Sequence, residues 1–510
     1  MFHAVIRREI DFYLFKAIYR RKNMIGRIAE IKKLETAYRS NRAEFVGVYG
    51  RRRVGKTYLV NETFADRFVF RHNGLSPIEE EQNEGTSIRS DESSMKKQLA
   101  HFHTSLLREG ESGTLPPKTW EEAFFRMERI IDGKKARKGK KVVFIDELPW
   151  MDTPKSGFIT ALEGFWNGWG CRQKDLLFIV AGSSTSWMTN KLINNHGGLY
   201  GRLTREIRLS PLTLGECKAL FHENGVVLSD YDIAQAYMVF GGIPFYLNPM
   251  EAGQSLAQYV DDCFFGEKAA LRREFDRLFG SVFNNPETMK TIVRALSERR
   301  MGLTRKEIEE STKITGGGAM TDYLRALADS DFIVEYYPFG MGRREPYYRL
   351  SDPFCWFYLR FVDGQESLNA DFWMKNLDNP RVVSWRGLAF ENLCFLHVPQ
   401  IKRALGISGV RSEESAYTKR GGDESEGAQI DLLIVRADNV ADLCEAKFVS
   451  DDYRLDSQEE RKLTRREIAV SELLPKKCVV HKVLITTFGI AKHEYMWSYQ
   501  NVVTLKDLMA

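Results

Sequence analysis

At 510 residues, and roughly 100–200 residues per domain, the chain is too long for one domain and predicts about three. Its 43% hydrophobic, 28% charged and 12% aromatic residues are those of a globular protein and exclude wholesale disorder. Lys and Arg total 74 against 69 Asp and Glu, a formal charge of +5, too small a surplus for a global nucleic-acid footprint, so any basic surface is local. The longest uncharged stretch, Ile233 to Met250, contains Gln235, Gly241, Gly242, Pro244 and Asn248, which argues against a membrane span of about 20 apolar residues. Arg7, Arg8, Glu9 and Asp11 break any signal-peptide core, so no targeting and a cytoplasmic location are expected. The cysteines at 171, 217, 263, 355, 394, 444 and 478 are odd in number and never spaced C-x-x-C, which predicts reduced, buried thiols.

Residues 1–23 read as an N-terminal extension, with Met24 the expected start and an arm that docks on a partner the alternative. An α/β pattern then begins: a helix around Glu30 to Tyr38 and a buried strand, Phe45 to Tyr49, set by length and flanking residues. The polar stretch Ser76 to Ser94 predicts a long loop, followed by helical spacing at Leu99, Phe102, Leu106 and Leu107 and at Trp120, Phe124, Met127 and Ile131. Next come the basic turn Lys134 to Lys141, a strand Val142 to Ile145, a helix from about Ser156 to Trp166 and a strand Leu176 to Ala181. Strands alternating with helices over 24–210 predict a parallel sheet covered on both faces.

Residues 211–280 predict a helical lid, and 281–350 a winged-helix domain. In the latter Thr304-Arg305-Lys306-Glu307-Ile308 reads as a capped helix start, Ala319 to Ala328 as a second helix, and Phe332 to Tyr337 with Pro346 to Arg349 as a wing. A connector, 351–381, leads to a last domain, 382–510, with a helix around Leu388 to Leu396, a polar loop Gly421 to Gly427, and strands Gln429 to Arg436 and Val440 to Phe448.

Gly50-Arg51-Arg52-Arg53-Val54-Gly55-Lys56-Thr57 matches G-x-x-x-x-G-K-[ST] directly after the Phe45 to Tyr49 strand, the context a phosphate-binding loop requires. Gly50 and Gly55 let backbone N–H groups turn inward, Lys56 reaches the β- and γ-phosphates, and the Thr57 hydroxyl is a Mg²⁺ ligand. The strand ending in Ile145-Asp146-Glu147 adds Asp146 to hold the metal and Glu147 to polarise the attacking water; the bland reading of Glu147 is a helix-capping carboxylate. Arg202, or else Arg205, is the candidate cation for the γ-phosphate, against a surface salt bridge. Ser183, Ser184 and Thr185 follow the next strand, either as a polar sensor beside the nucleotide or as an ordinary turn with an N-cap.

Together with Ile25-Gly26-Arg27, Leu199-Tyr200-Gly201-Arg202-Leu203 and Gly241-Gly242-Ile243-Pro244, these strings resemble the archaeal-type ATPase family, relatives of the AAA+ and STAND NTPases. Many members are fused to a C-terminal domain with a restriction-endonuclease-like fold. The resemblance implies that Gly26 and Arg27 lie near the adenine, that Ser183 to Thr185, Ser184 among them, form the sensor segment, and that the Gly-Gly-x-Pro turn sits in the lid.

Asp431 with Glu445-Ala446-Lys447 fits the D-x(n)-E-x-K arrangement of PD-(D/E)XK nucleases. A turn centred on Asp438 sets Asp431 opposite Glu445, with Lys447 on the same side of the sheet. Opposed carboxylates are unfavourable unless a divalent cation binds between them. The resemblance places Glu391 on the preceding helix as a further ligand; Ile430 stands where proline is often found. The bland reading, charges on a solvated hairpin, conflicts with Leu432, Leu433, Ile434, Val435 and Leu443 around them. The expected reading helix of the winged segment offers Arg325 but also Asp322, Asp329 and Asp331, a poor match to phosphates, so a hinge or interdomain role is at least as good a reading, with Arg343 and Arg344 left to touch a backbone. The basic turn is a solvated loop or a polyanion contact. The functional expectation is an ATP-binding ATPase, requiring Mg²⁺, whose nucleotide state controls a metal-dependent nuclease-like domain acting on DNA or other nucleic acid. The alternative is a regulatory switch with a silent nuclease-like domain. Arg202 acting in trans implies a homo-oligomer.

Overall fold

The computed structural model describes residues 24–76, 91–136, 139–194, 197–314, 317–340, 345–365, 369–419 and 428–510. The N-terminal extension, nearly all of the polar stretch after Ser76, residues 137–138 of the basic turn, Arg343 and Arg344 of the wing, and the loop Gly421 to Gly427 lie outside the described residues. The chain divides into two compact units, one of residues 1–211 with 280–284 and one of residues 212–279 with 285–510.

In the first unit five strands form a parallel sheet: β1 (Glu44–Tyr49), β2 (Phe68–Asn73), β3 (Lys141–Asp146), β4 (Leu176–Gly182) and β5 (Arg205–Arg208), in the order β2-β3-β4-β1-β5. The central strand β4 is buried at every residue, as a run covered on both faces must be. The sequence reading missed β2 and β5. Both are edges, and β5, with Arg205, Glu206 and Arg208 around one buried Ile207, carries the charges that protect an edge and hide its strand character. One layer of helices packs through an aromatic core, with Trp120 against Phe158 at 4.9 Å and Phe45 against Phe178 at 5.0 Å. Thr119 caps the helix Trp120–Gly133 by accepting from the Glu122 N–H at 3.2 Å. On the helix Asp91–Arg108, Leu99, Phe102 and Leu106 are buried but Leu107 is 44% exposed, because position i+1 rotates off the apolar face.

The second unit begins with the helices Leu214–Glu223, Asp230–Phe240 and Leu256–Phe264. The helices Pro286–Ser297, Arg305–Thr312 and Gly318–Asp329 accompany a small antiparallel sheet of β6 (Leu303–Thr304), β7 (Ile333–Tyr336) and β8 (Tyr347–Leu350), ordered β6-β8-β7. Thr304 and Glu307 form a reciprocal capping box at the start of the second of these helices. The rest is a mixed sheet of β9 (Ser412–Lys419), β10 (Ala428–Arg436), β11 (Val440–Lys447), β12 (Val479–Thr486) and β13 (Asn501–Thr504), ordered β13-β12-β11-β10-β9. Strands β9, β10 and β11 pair antiparallel, and β12 and β13 continue in parallel. The helix Pro380–Leu396 starts eight residues before the span expected from its apolar spacing. All seven cysteines are free; five are buried, but Cys171 is exposed and Cys478 only half-buried.

Within this unit His397 ties its own helix to the start of the helix Leu214–Glu223. Its Nδ1–H donates to the Leu393 carbonyl at 2.9 Å, and its Nε2 accepts from the Leu214 N–H at 2.9 Å. The second bond requires the neutral ring, and burial lowers its pKa to about 4 against the opposing pull of the Leu393 carbonyl. The unfolded chain takes up this proton near pH ~6.5, so the contribution is complete above that pH and lost as pH falls toward the folded value. The slope reaches about 1.4 kcal/mol per pH unit. His397→Gln should remove on the order of 2 kcal/mol of acid sensitivity between about pH 6.5 and 4.5 in urea-unfolding profiles of the full chain; an unchanged slope would refute this assignment.

Candidate functional site

The loop after β1 is shaped by two glycines. Gly50 has φ 143°, and a Cβ there would come within 2.2 Å of the Leu209 carbonyl oxygen; Gly55 has φ 96° at the start of the helix Lys56–Phe64. Lys56 is 4% exposed, and its Nζ donates to the carbonyls of Gly50 and Arg51, each at 3.0 Å. Burial pulls its amine below the ordinary lysine range. Thr57 Oγ1 donates to Asp146 Oδ2 at 2.5 Å, and the Glu147 N–H donates to Asp146 Oδ1 at 2.9 Å. Burial, then the neighbouring Glu147 charge, pushes the Asp146 carboxyl above its usual range.

Glu147 has φ 47°, a left-handed conformation for a non-glycine residue, and precedes the short helix Leu148–Met151. Its Oε2 accepts from both the backbone N–H (3.0 Å) and the hydroxyl (2.7 Å) of Ser183. Because β4 lies between β3 and β1, its carboxyl end delivers Ser183 between the acidic pair and the loop. Ser183, rather than Ser184, therefore meets Glu147; Ser184 opens the short helix Thr185–Met188 without a side-chain cap bond.

Arg27 follows Gly26, which has φ 71°. The Arg27 guanidinium is 6% exposed and donates to the carbonyls of Val54 (3.2 Å) and Ser210 (2.9 Å), bracing the phosphate loop. Arg202 is exposed, and its Nε donates to the Gly198 carbonyl at 3.3 Å. Arg205 does not fit the role of a phosphate cation. It pairs with Val46 across the sheet and lies 3.7 Å from Glu44 Oε2, at the end of β1 opposite the loop, where it neutralises a fully buried carboxylate.

In the second unit Leu432 pairs with Cys444 and Val435 with Ala441, a register that places Asp431 across from Glu445. An irregularity in the β9–β10 pairing between Ile430 and Leu433 falls at Asp431, as bulges do where a side chain is re-aimed. Lys447 Nζ lies 3.0 Å from Glu445 Oε1 and 3.4 Å from Glu459 Oε2. Burial alone would lower the Lys447 amine, but the Glu445 charge holds it above its ordinary range. Asp431 Oδ2 accepts from the Ala446 N–H at 3.2 Å. Glu391, on the helix Pro380–Leu396, joins the cluster through a shared partner: one Nη2 of Arg300 contacts Glu391 Oε2 and, at 2.7 Å, Asp431 Oδ1. Arg466 Nη1 binds Glu445 Oε2 at 2.7 Å. Burial first, then repulsion between neighbouring carboxylates, raises both Glu391 and Asp431 above the usual range, against the pull of Arg300.

Arg300 and Arg466 escaped the sequence reading. One stands in an Arg-Arg turn and the other in a highly charged helix, and their partners lie far along the chain. They also alter the chemistry expected of Glu391, Asp431 and Glu445 as metal ligands. Among the described residues no group of three or more His, Cys, Asp or Glu side chains is disposed to hold a metal ion; guanidinium groups neutralise these carboxylates instead. No described helix is long and apolar enough to cross a membrane.

Residues 24–250 match the family model described as an ATPase domain predominantly from Archaea. An uncharacterized protein of Methanocaldococcus jannaschii is 25% identical over 340 residues, 66% of this chain and 68% of its own length. Among solved structures, a Walker-type ATPase of Pyrococcus abyssi aligns at 20% identity over 67% of this chain and 97% of its own, with a TM-score of 0.44. The ORC2 protein of Aeropyrum pernix aligns at 13% identity over 70% and 95% of the two chains, with a TM-score of 0.38. The segment that carries Lys56, Thr57, Asp146 and Glu147 is thus typed as an archaeal-type ATPase domain.

Proposed function

We propose that the first unit binds and hydrolyses ATP and that its nucleotide state sets the activity of the second. The observation that carries this reading is the chain of contacts from Thr57 through Asp146 to Glu147 and Ser183. The loop amides and Lys56 receive the phosphates, Lys56 exchanging the carbonyls of Gly50 and Arg51 for phosphate oxygens. Thr57 and Asp146, already in contact, are the residues to hold Mg²⁺, which when bound neutralises charge between the β- and γ-phosphates. Glu147, fixed by two hydrogen bonds from Ser183, orients and polarises the attacking water. Gly26 and Arg27 border the nucleotide, and exposed Arg202 is free of the core to reach a γ-phosphate in a neighbouring copy.

A second reading concerns the second unit. The hairpin that faces Asp431 with Glu445 and sets Lys447 beside them supports a nuclease-like domain acting on DNA or other nucleic acid, with the helices and small sheet of 286–350 as a winged-helix module. The alternative is a switch whose nuclease-like domain is silent.

Two experiments separate these readings. Glu147→Gln should bind ATP normally while losing turnover by about 10²-fold or more, and Ser183→Ala should lower kcat about tenfold at unchanged ATP affinity. Loss of affinity with kcat intact would reassign both residues to binding. Plasmid and single-strand cleavage assays with Mg²⁺ or Mn²⁺, with and without ATP, should show cutting by the intact chain that Glu445→Ala abolishes. Intact substrate alongside preserved ATP turnover would favour the silent switch.

A further inference from the structure

In the first unit β3 lies between β2 and β4, and the turn that follows it is gripped from both neighbours. Ser183 fixes the Glu147 carboxylate from the β4 side. From the other side the chain leaving β2 runs close against the turn. The Gly74 N–H donates to the Asp146 carbonyl at 3.0 Å, and a Cβ on Gly74 would come within 2.7 Å of the Glu147 carbonyl oxygen.

One side chain locks this approach. Gln98, on the helix Asp91–Arg108, is 6% exposed. Its Oε1 accepts from the Leu75 N–H at 3.1 Å, and its Nε2 donates to the carbonyls of Leu75 and Trp150, each at 3.0 Å. Two carbonyls and one N–H face the carboxamide, so a single amide orientation satisfies all three; methionine has the length but none of these groups, and an ionised glutamate has acceptors alone. The mount is rigid. Leu99, Phe102 and Leu106 of the same helix are buried, and two turns beyond Gln98 the Ser105 hydroxyl meets His72 Nδ1 on β2 at 2.9 Å. At the far end of the clamp the Trp150 N–H returns to the Glu147 carbonyl at 3.1 Å. Gln98 thus closes on the one short turn that left-handed Glu147 opens, and its release would let that residue relax toward ordinary backbone conformations and swing its carboxylate away.

We infer that Gln98 is a positioning residue of the ATP site: its carboxamide clamps the backbone carrying Glu147 to the end of β2 and so holds the Glu147 carboxylate where Ser183 meets it. This role rests on the ATPase reading for the chemistry that Glu147 performs, whereas the clamp stands on geometry alone.

The test compares the full-length chain with Gln98→Met and with Gln98→Glu, which keeps the shape but turns an acceptor on the two carbonyls. In the nucleotide-free protein, amide hydrogen exchange over residues 146–152 should be about tenfold faster in both variants, with exchange over β4 unchanged. With Mg²⁺ and ATP, kcat should fall about tenfold at unchanged ATP affinity. In the Glu147→Gln background the same substitutions should cost less than about twofold more, because the group they position has already gone. Exchange that matches the wild type in a variant of native circular dichroism overturns the clamp. An unchanged kcat, a loss of ATP affinity, or an undiminished loss on top of Glu147→Gln overturns the positioning role. Faster exchange in the variants of a chain that hydrolyses no ATP upholds the clamp and overturns the ATPase reading alone.

Discussion

The Glu147 carboxylate is held by Ser183 from the end of a neighbouring strand, and the first site is organised around that one contact. It exists because β4 intervenes between the strand of the phosphate loop and the strand of the acidic pair. Parallel register brings the ends of all three strands to one edge of the sheet, so residues about 90 and 125 positions after the loop come together without any loop having to be long-range in its own structure. A left-handed Glu147 is the local cost of turning the chain directly after Asp146. The buried network around it over-determines that conformation.

The second unit solves a different electrostatic problem. Three carboxylates and a lysine crowd one end of a largely apolar hairpin, and burial makes each unpaired charge expensive. Arginines from three separate segments answer them: a turn, a strand and a helix. Within the hairpin only Lys447 reaches one of them, Glu445, while Leu433 and Leu443 fill one face with the core.

Legibility in the sequence followed the same physics. The phosphate loop, Asp146 and Glu147 were readable because their chemistry demands fixed residue types at fixed spacing beside an apolar strand. The hairpin register was readable because a turn at Asp438 and Asn439, with φ 65° at Asn439, determines which residues oppose. What escaped depends on long-range closure. The edge strand β5 looks like a charged loop until a sheet needs a boundary. Arg205 looks like a free cation until Glu44 is found buried beside it. Arg300 carries no motif at all, since nothing local in an Arg-Arg turn says that its partners lie 91 and 131 residues away.

Lys56 in its resting position has a consequence for how the loop behaves when empty. Its ammonium ties the first two carbonyls of the loop, Gly50 and Arg51, to the helix that follows. The side chain is therefore a structural strut, and under the proposed phosphate role ATP would gain its salt bridge at the expense of hydrogen bonds already made. Replacing Lys56 by alanine would consequently disturb the nucleotide-free protein too. A chain altered there is no neutral background against which to measure nucleotide effects, whereas Glu147→Gln leaves the strut in place.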